Sequence, residues 1–364
     1  MSAINYKIAD SISKIKKEDW DDIFGDIHEG YAFYKTLEES GFGEFSFHYI
    51  LLYEGSKLLL IAPAFITDFY ADDILQERIA RPIAAARKIL PKLLVFKTLF
   101  CGSPFGENGI LGIRREVADK QNILHELVRV LNIFCRGKKI SLIIFKDFPP
   151  EDAGLLGCLQ LRGFFKADSF PTAVIDLNFN SFDGYLGSLS HATRKSLRRK
   201  IKKARAQGNI TTKIVGRIDD ELDDIYRLYL NTHAAGKTKF EKLTRDFFLR
   251  IAENFGAGCK YFLYYVDGRL AAFNLCLVHG DLLIDKFIGF DYEIAHQYNL
   301  YFISWCYNIE WCLENSIHHY QVGQTDYAPK IQLGGKLIPL YAYVKHTNSA
   351  VNMLTKILSK FLNI

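Results

Sequence analysis

Long apolar runs are missing from these 364 residues. The most apolar stretch, Ile89 to Phe100, is interrupted by Pro91, Lys92 and Lys97, and is too short and too charged to cross a bilayer. The opening MSAINYKIADSISKIKKEDW has no apolar core of the kind a secretory signal carries, so a soluble, cytoplasmic protein is expected. Closely paired cysteines are missing as well. The seven present (Cys101, Cys135, Cys158, Cys259, Cys276, Cys306 and Cys312) are odd in number and never spaced CxxC. That points to buried reduced thiols and away from a disulfide framework. His318-His319 lacks helical metal spacing, so no metal site is expected. Negative charge is missing from one place above all: no carboxylate lies between Asp183 and Asp219.

That gap holds the run SHATRKSLRRKIKKARAQ, from Ser190 to Gln207. Its cations are Arg194, Lys195, Arg198, Arg199, Lys200, Lys202, Lys203 and Arg205. So positive a short helix suits a phosphate-bearing cofactor, a nucleic acid or a membrane. The net charge of the chain is only +5, which the helix alone more than supplies. A general nucleic-acid binder spreads its basic charge more widely, so no stable DNA partner is expected. Ser190 is placed to cap the helix, and Leu197, Ile201 and Ala204 form a narrow core-facing stripe at i, i+4, i+7. Hydrophobic content of 49% and charged content of 24% are globular values, and the length suits two domains with full cores.

Two segments look like distant copies. HYILLYEGSKLLLIAPAFITD (His48–Asp68) and YFLYYVDGRLAAFNLCLVHGD (Tyr261–Asp281) each read as a hairpin, with a turn at Glu54-Gly55 or Asp267-Gly268. Each is followed by a helix, a short polar loop and another strand: Gln121–Arg136 then Ile140–Phe145, and Leu300–Leu313 then His318–Val322. A duplicated α/β (α+β) unit is the simplest account. The expected division is 1–177, 178–348 and an amphipathic C-terminal helix at 349–364.

The run FDGYLGSLSHATRKSLRRKIKKARAQG resembles the motif opening the C-terminal half of FemAB-like, BioF2-like acyltransferases of the GNAT (N-acetyltransferase) superfamily. LTRDFF (Leu243–Phe248), VDGRLAAF, DKFIGFDYE (Asp285–Glu293) and VGQTDYAPKIQLGGKLIPLY (Val322–Tyr341) resemble later family segments. Trp20-Asp21, TLEESG and CGSPFGENG resemble the family's degenerate first unit. The resemblance implies tandem GNAT-like units, each a mixed sheet flanked by helices, and transfer of an acyl group to an amine. Typical acetyltransferases place Arg/Gln-x-x-Gly-x-Gly/Ala before a helix, where backbone N–H groups cradle the pyrophosphate of acetyl-CoA. Here the matching stretch is HQYNLYF (His296–Phe302), without glycine. Relatives that use aminoacyl-tRNA carry a coiled-coil arm in the second half, and no such heptad insert appears.

Amine acylation needs a base for the ammonium proton, a donor for the oxyanion and cations for a phosphate-rich partner. Gln324, Thr325, Asp326, Tyr327 and Lys330 gather beyond a predicted strand end, with Tyr327 able to protonate a leaving group and Lys330 to bind an anion. Asp285, expected as the general base, and Lys286 lie mid-strand, where an adjacent acid and base must be paired or face a cleft. Asp291, Tyr292, His296, Tyr298 and Asn299 read as a polar turn before the helix at Leu300, with His296 a second possible base. His233 is a further acceptor-site candidate, and Arg194 and Arg198 are the first choices for anionic groups. The expected reaction is N-acyl transfer from acyl-CoA, used as a co-substrate, to an amine of a small metabolite, peptide or cell-envelope precursor. Aminoacyl-tRNA as donor is the nearest alternative. A non-enzymatic binder of nucleic acid or anionic lipid is the alternative from another class. The C-terminal face of Val351, Leu354, Ile357, Leu358, Phe361 and Leu362 could pack on the protein itself or contact a membrane surface.

Overall fold

The computed structural model describes residues 4–71, 77–236 and 242–362. Two compact units emerge: one from the chain up to Glu38, Phe42–Phe170 and the segment from Pro339 on, the other from Glu39–Gly41 and Pro171–Ile338. The first contains β1 (Ile4–Ala9), α1 (Lys17–Phe24), α2 (Tyr31–Glu39), β2 (Ser46–Glu54), β3 (Lys57–Tyr70), α3 (Glu77–Ala86), β4 (Val95–Cys101), β5 (Gly112–Ile113), α4 (Lys120–Lys138), β6 (Leu142–Phe148) and α5 (Ala153–Leu156). After β7 (Phe165–Asp176) come α6 (Phe182–Ser188), α7 (His191–Gln207), β8 (Ile210–Val215), α8 (Leu222–Ala235), α9 (Arg245–Phe255), β9 (Cys259–Val266), β10 (Arg269–His279) and β11 (Leu282–Phe290). The chain ends through α10 (Tyr292–Tyr298), α11 (Leu300–Glu314), β12 (His319–Gln321), α12 (Tyr327–Gln332), β13 (Lys336–His346) and α13 (Ser349–Leu362).

Sheet order in the first unit is β1-β2-β3-β4-β6-β13, with β5 on β3, and in the second β7-β12-β11-β10-β9-β8. The repeat is visible in both. A hairpin (β2-β3 or β9-β10), a third strand, a crossover helix (α4 or α11) and a strand parallel to the third follow in the same order. Parallel neighbours need such a crossover, whereas the hairpins need only their turns. At the second hairpin Asp267 and Gly268 take φ of 49° and 81°, the left-handed pair that matches strand twist.

The division departs from the expected one at the C-terminus. Residues 339–348 were expected in the second unit, but the segment from Pro339 on belongs to the first, because Tyr341–His346 of β13 pairs antiparallel with Phe148–Leu142 of β6. The first boundary falls at Pro171, inside the long strand β7.

Helix α4 shows why these elements pack. Leu124, Leu127, Val128, Leu131 and Cys135 recur at helical spacing and are buried, and Asp119 caps the start by accepting from Asn122 N–H. In the second unit Gly289 lets α8 lie directly on β11. A Cβ there would stand 2.3 Å from Phe273 Cε1 and 2.7 Å from the Leu228 carbonyl carbon. The contact is fixed by Phe290 N–H donating to Thr232 Oγ1 at 3.1 Å and Asn231 Nδ2 donating to Phe290 O at 3.2 Å.

Candidate active site

In the second unit β11 and β12 pair for three residues only, Leu282–Ile284 against His319–Gln321. Beyond that point β11 continues against β10, while the other chain stays with β7, Val322 N–H donating to Ala173 O at 2.9 Å and Ala173 N–H to Gly323 O at 3.1 Å. The two parallel strands therefore part at their carboxyl ends, the position where open α/β sheets receive ligands. Asp285 is the first residue past the parting. In the register with β10, Cys276 faces Asp285 and Leu275 faces Phe287, which leaves buried Lys286 as the extra residue of a bulge. Bulges re-aim side chains, and here the adjacent acid and base are accommodated by one.

A chain of donors ends on Asp285. Asn274 Nδ2 lies 2.9 Å and 2.7 Å from its two oxygens, and Tyr320 OH donates to Oδ2 at 2.8 Å. Asn308 Nδ2 donates to the Tyr320 oxygen at 2.8 Å, and Tyr264 OH donates to Asn308 Oδ1. Tyr264, Asn274, Asn308 and Tyr320 are fully buried, whereas Asp285 is half-buried. Burial pushes the Tyr264 and Tyr320 hydroxyls well above their ordinary range, and the Asp285 charge pushes them the same way. They therefore keep their protons at neutral pH and serve as fixed donors, each polarising the next. Such a network favours an ionised carboxylate held in one orientation. That is what a general base needs.

The loop after β12 closes over the same place. An added Cβ on Gly323 (φ +69°) would stand 3.9 Å from Asp285 O, and Thr325 and Asp326 follow with φ of 63° and 47°. Two consecutive non-glycine residues in the left-handed region are costly and gather at functional loops. Lys330 is buried on α12, and its Nζ donates to Gln324 O at 2.7 Å. Among the described residues, the Gln324 side-chain nitrogen and Asn274 Oδ1 are buried polar atoms with no hydrogen-bond partner. Such orphans are uncommon in folded proteins, and these two flank the Asp285 and Lys330 segments. Burial pushes the Tyr301 hydroxyl up, and the charges of Asp326 and Asp285 push it the same way. The Tyr327 hydroxyl donates to Pro171 O at 3.0 Å.

The expected polar turn at 291–299 is instead the short helix α10. Asp291 is buried at its start, paired with Arg269 at 2.5 Å and Arg227 at 3.7 Å. Tyr298 is buried and donates to Gln207 O at 3.2 Å, and Asn299, at φ 54°, forms the joint between α10 and α11. Tyr292 is half-buried with its ring 5.8 Å from that of His296, which faces solvent. His233 lies in the last turn of α8, its ring 5.9 Å from that of Tyr229.

The basic run is the helix expected. Ser190 Oγ accepts from Thr193 N–H at 3.2 Å, and Leu197 and Ala204 are buried with Ile201 packed beside them. Arg194 is not aimed outward: it donates to Gly187 O at 2.9 Å and Leu189 O at 3.0 Å. Arg198 is exposed, 3.6 Å from Asp183. With Arg205, Glu310 and an apolar floor that includes Cys306, Arg198 lines a cavity of about 350 Å³ between α6, α7, β8 and α11. None of Asp285, Gln324 or Lys330 lines that cavity. All seven cysteines are buried and unbridged, and burial pushes Cys306 up to about 12, so none is poised as a nucleophile. Among the described residues no group of three His, Cys, Asp or Glu could hold a metal ion, and no helix is long and apolar enough to cross a membrane.

Sequence reasoning missed Asn274, Asn308, Tyr264 and Tyr320. A signal existed for the two amides. Asn274 interrupts the apolar run AAFNLCLV, and Asn308 sits in the apolar helix FISWCYNIEW. A lone amide there must find a buried partner.

The FemAB-like profile, described as peptidoglycan biosynthesis/recognition, matches residues 11–362. A search of curated protein sequences gives no match. Among solved structures, a crystal structure of FemX is 12% identical with a TM-score of 0.59, covering 96% of this chain and 100% of that one. The C-terminal domain of a putative lysylphosphatidylglycerol synthetase from Agrobacterium fabrum is 14% identical with a TM-score of 0.56, covering 97% and 98%. A tandem GNAT protein from the clavulanic acid biosynthesis pathway is 10% identical with a TM-score of 0.54, covering 95% and 99%. At these identities the structures establish a shared fold, that of tandem GNAT units.

Proposed function

Because the chain belongs to the FemAB-like family and is an acyltransferase, we propose that it passes an aminoacyl group from the ester of an aminoacyl-tRNA to an amine of a cell-envelope precursor peptide. The observation that carries the choice of donor is the start of α11. Where acetyl-CoA enzymes of the superfamily present glycine-rich backbone N–H groups to a pyrophosphate, this chain has HQYNLYF, with no glycine and with Asn299 as the joint between α10 and α11. Acyl-CoA is the second reading, favoured by the lack of a coiled-coil arm in the second half.

In this reading Asp285 takes the proton of the attacking amine, oriented by Asn274 and Tyr320. The carbon–nitrogen bond forms at the ester carbonyl. The Lys330 ammonium, buried in the loop beyond β12, meets the developing oxyanion. The carbon–oxygen bond then breaks, and the proton held by Asp285 passes to the leaving ribose oxygen. The exposed cations of α7, among them Lys195, Arg199, Lys202 and Lys203, meet phosphates of the donor.

Two measurements on the purified full chain test this. Aminoacyl-tRNA binding by fluorescence anisotropy should weaken steeply as salt rises, and acetyl-CoA should leave the melting temperature unchanged. A melting shift of several degrees with acetyl-CoA, together with no tRNA binding, would sink the tRNA reading in favour of acyl-CoA.

A further inference from the structure

We infer that the first unit docks on a bilayer surface carrying anionic lipids, through two apolar, basic-flanked segments that leave the same end of its sheet. One runs between β3 and β4. Tyr70 pairs with Val95, and Ala71 N–H donates to Leu94 O at 3.0 Å, so the ends of this excursion are tied at the sheet margin. The other is α13, which begins just past the end of β13. Their roots are joined. Ser141 N–H donates to Lys97 O and Thr347 N–H donates to Ser141 O, both at 2.8 Å, and the Phe96 ring lies 6.1 Å from that of His346.

Both segments show water what a globular surface normally hides. Ile89 is 84% and Leu90 59% exposed, and on α13 Met353 is 66% and Leu354 55% exposed. Single exposed apolar residues mean little, but large ones grouped on two segments rooted side by side mark a contact surface. Side chains 358–362, including the expected Leu358, Phe361 and Leu362, lie outside the described residues, and Ile357 is a further exposed apolar side chain of α13.

Charge selects the occupant. The connection opens with Asp72, Asp73 and Glu77, but residues 78–106, which carry the exposed Ile89 and Leu90, contain no Asp or Glu and hold Arg78, Arg81, Arg87, Lys88, Lys92 and Lys97. Residues 327–364 contain none either, and α13 carries Lys356 and Lys360. Lys138 and Lys139, in the turn from α4 to β6, emerge at the same end. Cations of one sign around exposed apolar side chains fit an interface of acyl chains under anionic headgroups. A second copy of this chain fits poorly, since a two-fold contact would set these cations against themselves.

Flotation of the full chain with lipid vesicles tests the inference. It should float with phosphatidylcholine–phosphatidylglycerol vesicles and stay behind with phosphatidylcholine alone. The double variant Ile89→Asp/Leu354→Asp should lower the bound fraction by about tenfold, with circular dichroism and melting unchanged because both side chains are exposed. Lys88→Glu/Lys92→Glu should act in the same direction. Lys202→Glu/Lys203→Glu on α7 should leave flotation intact, which keeps this surface distinct from donor binding. The inference is overturned if the parent chain does not float, if the double variant floats equally well, or if only the α7 variant loses binding. It is also overturned if size-exclusion chromatography shows a dimer that the double variant dissolves, since the face would then join two copies.

Discussion

The two units share a topology and differ in what they place at its centre. In the first, β4 and β6 run parallel from Thr98–Leu142 to Cys101–Phe145, and the strand passes on to Gly102 and Ser103. Past that point Leu131, Cys135, Phe145 and Phe148 are buried, and the buried carboxylate of Asp147 is taken up by Lys146 and Ser169. In the second, the corresponding parallel pair ends at Ile284, and Asp285 follows at once. The crossover helices differ in the same sense: α4 turns Leu124, Leu127 and Leu131 inward, while α11 buries Ser304 and Asn308. A parting of parallel strands is therefore a scaffold and not yet a site. The partners given to the carboxylate there differ: Asp147 meets Lys146 and Ser169, whereas Asp285 meets Asn274 and Tyr320.

Replacing that carboxylate should have the largest effect. Asp285→Ala should lower turnover by about 10²–10⁴-fold in a transfer assay with a charged tRNA and a peptide amine, whereas Cys101→Ala in the first unit should leave it near the parent value. If both variants lose activity alike, the two units are not chemically distinct. Leu131→Ala, a fully buried position of the first unit, should cost about 2–5 kcal/mol in denaturant unfolding while leaving donor affinity unchanged. Tyr320→Phe should cost about 1–3 kcal/mol, because Asn308 and Asp285 each lose a buried partner. It should also move the acidic limb of the pH–rate profile upward, since a carboxylate that loses a donor ionises less readily. An unmoved limb would mean that Asp285 is not the titrating base.

The smallest effect concerns His48, in the first unit. Its pKa is lowered from 6.5, first by burial and then by Lys138. The unfolded chain then binds the proton more readily than the native one, so stability is full above pH 6.5 and falls as the pH drops through the lowered value. His48→Phe should flatten that part of the stability profile, which urea midpoints measured across the acid range will read.

Much of the scaffold was legible in the residues. Hairpins announced by Gly55 and Asp267-Gly268, and helices announced by apolar spacing and by Ser190, depend on neighbours close in sequence. Asp285 was legible for a related reason, as a charge where a strand interior allows none without a partner. Its partners were not. Asn274, Asn308 and Tyr320 lie on three different elements, and only the register of β10 on β11 and the crossover of α11 bring them to one carboxylate. The residues 291–299 misled for the opposite reason. Their polarity suggested a loop, but Asp291 and Tyr298 are drawn inward by Arg269 and by the backbone at Gln207.

The pairing of β13 with β6 also sets an order of completion during synthesis. The second unit is contained in Glu39–Gly41 and Pro171–Ile338, so every residue it needs has been made once the ribosome passes that point. The first unit, although most of it is made earlier, must wait with β6 as an unpaired edge until Tyr341–His346 arrive. A chain arrested in between would hold a completed second unit and, on the first, an open sheet margin of the kind to which a chaperone or a neighbouring nascent chain attaches.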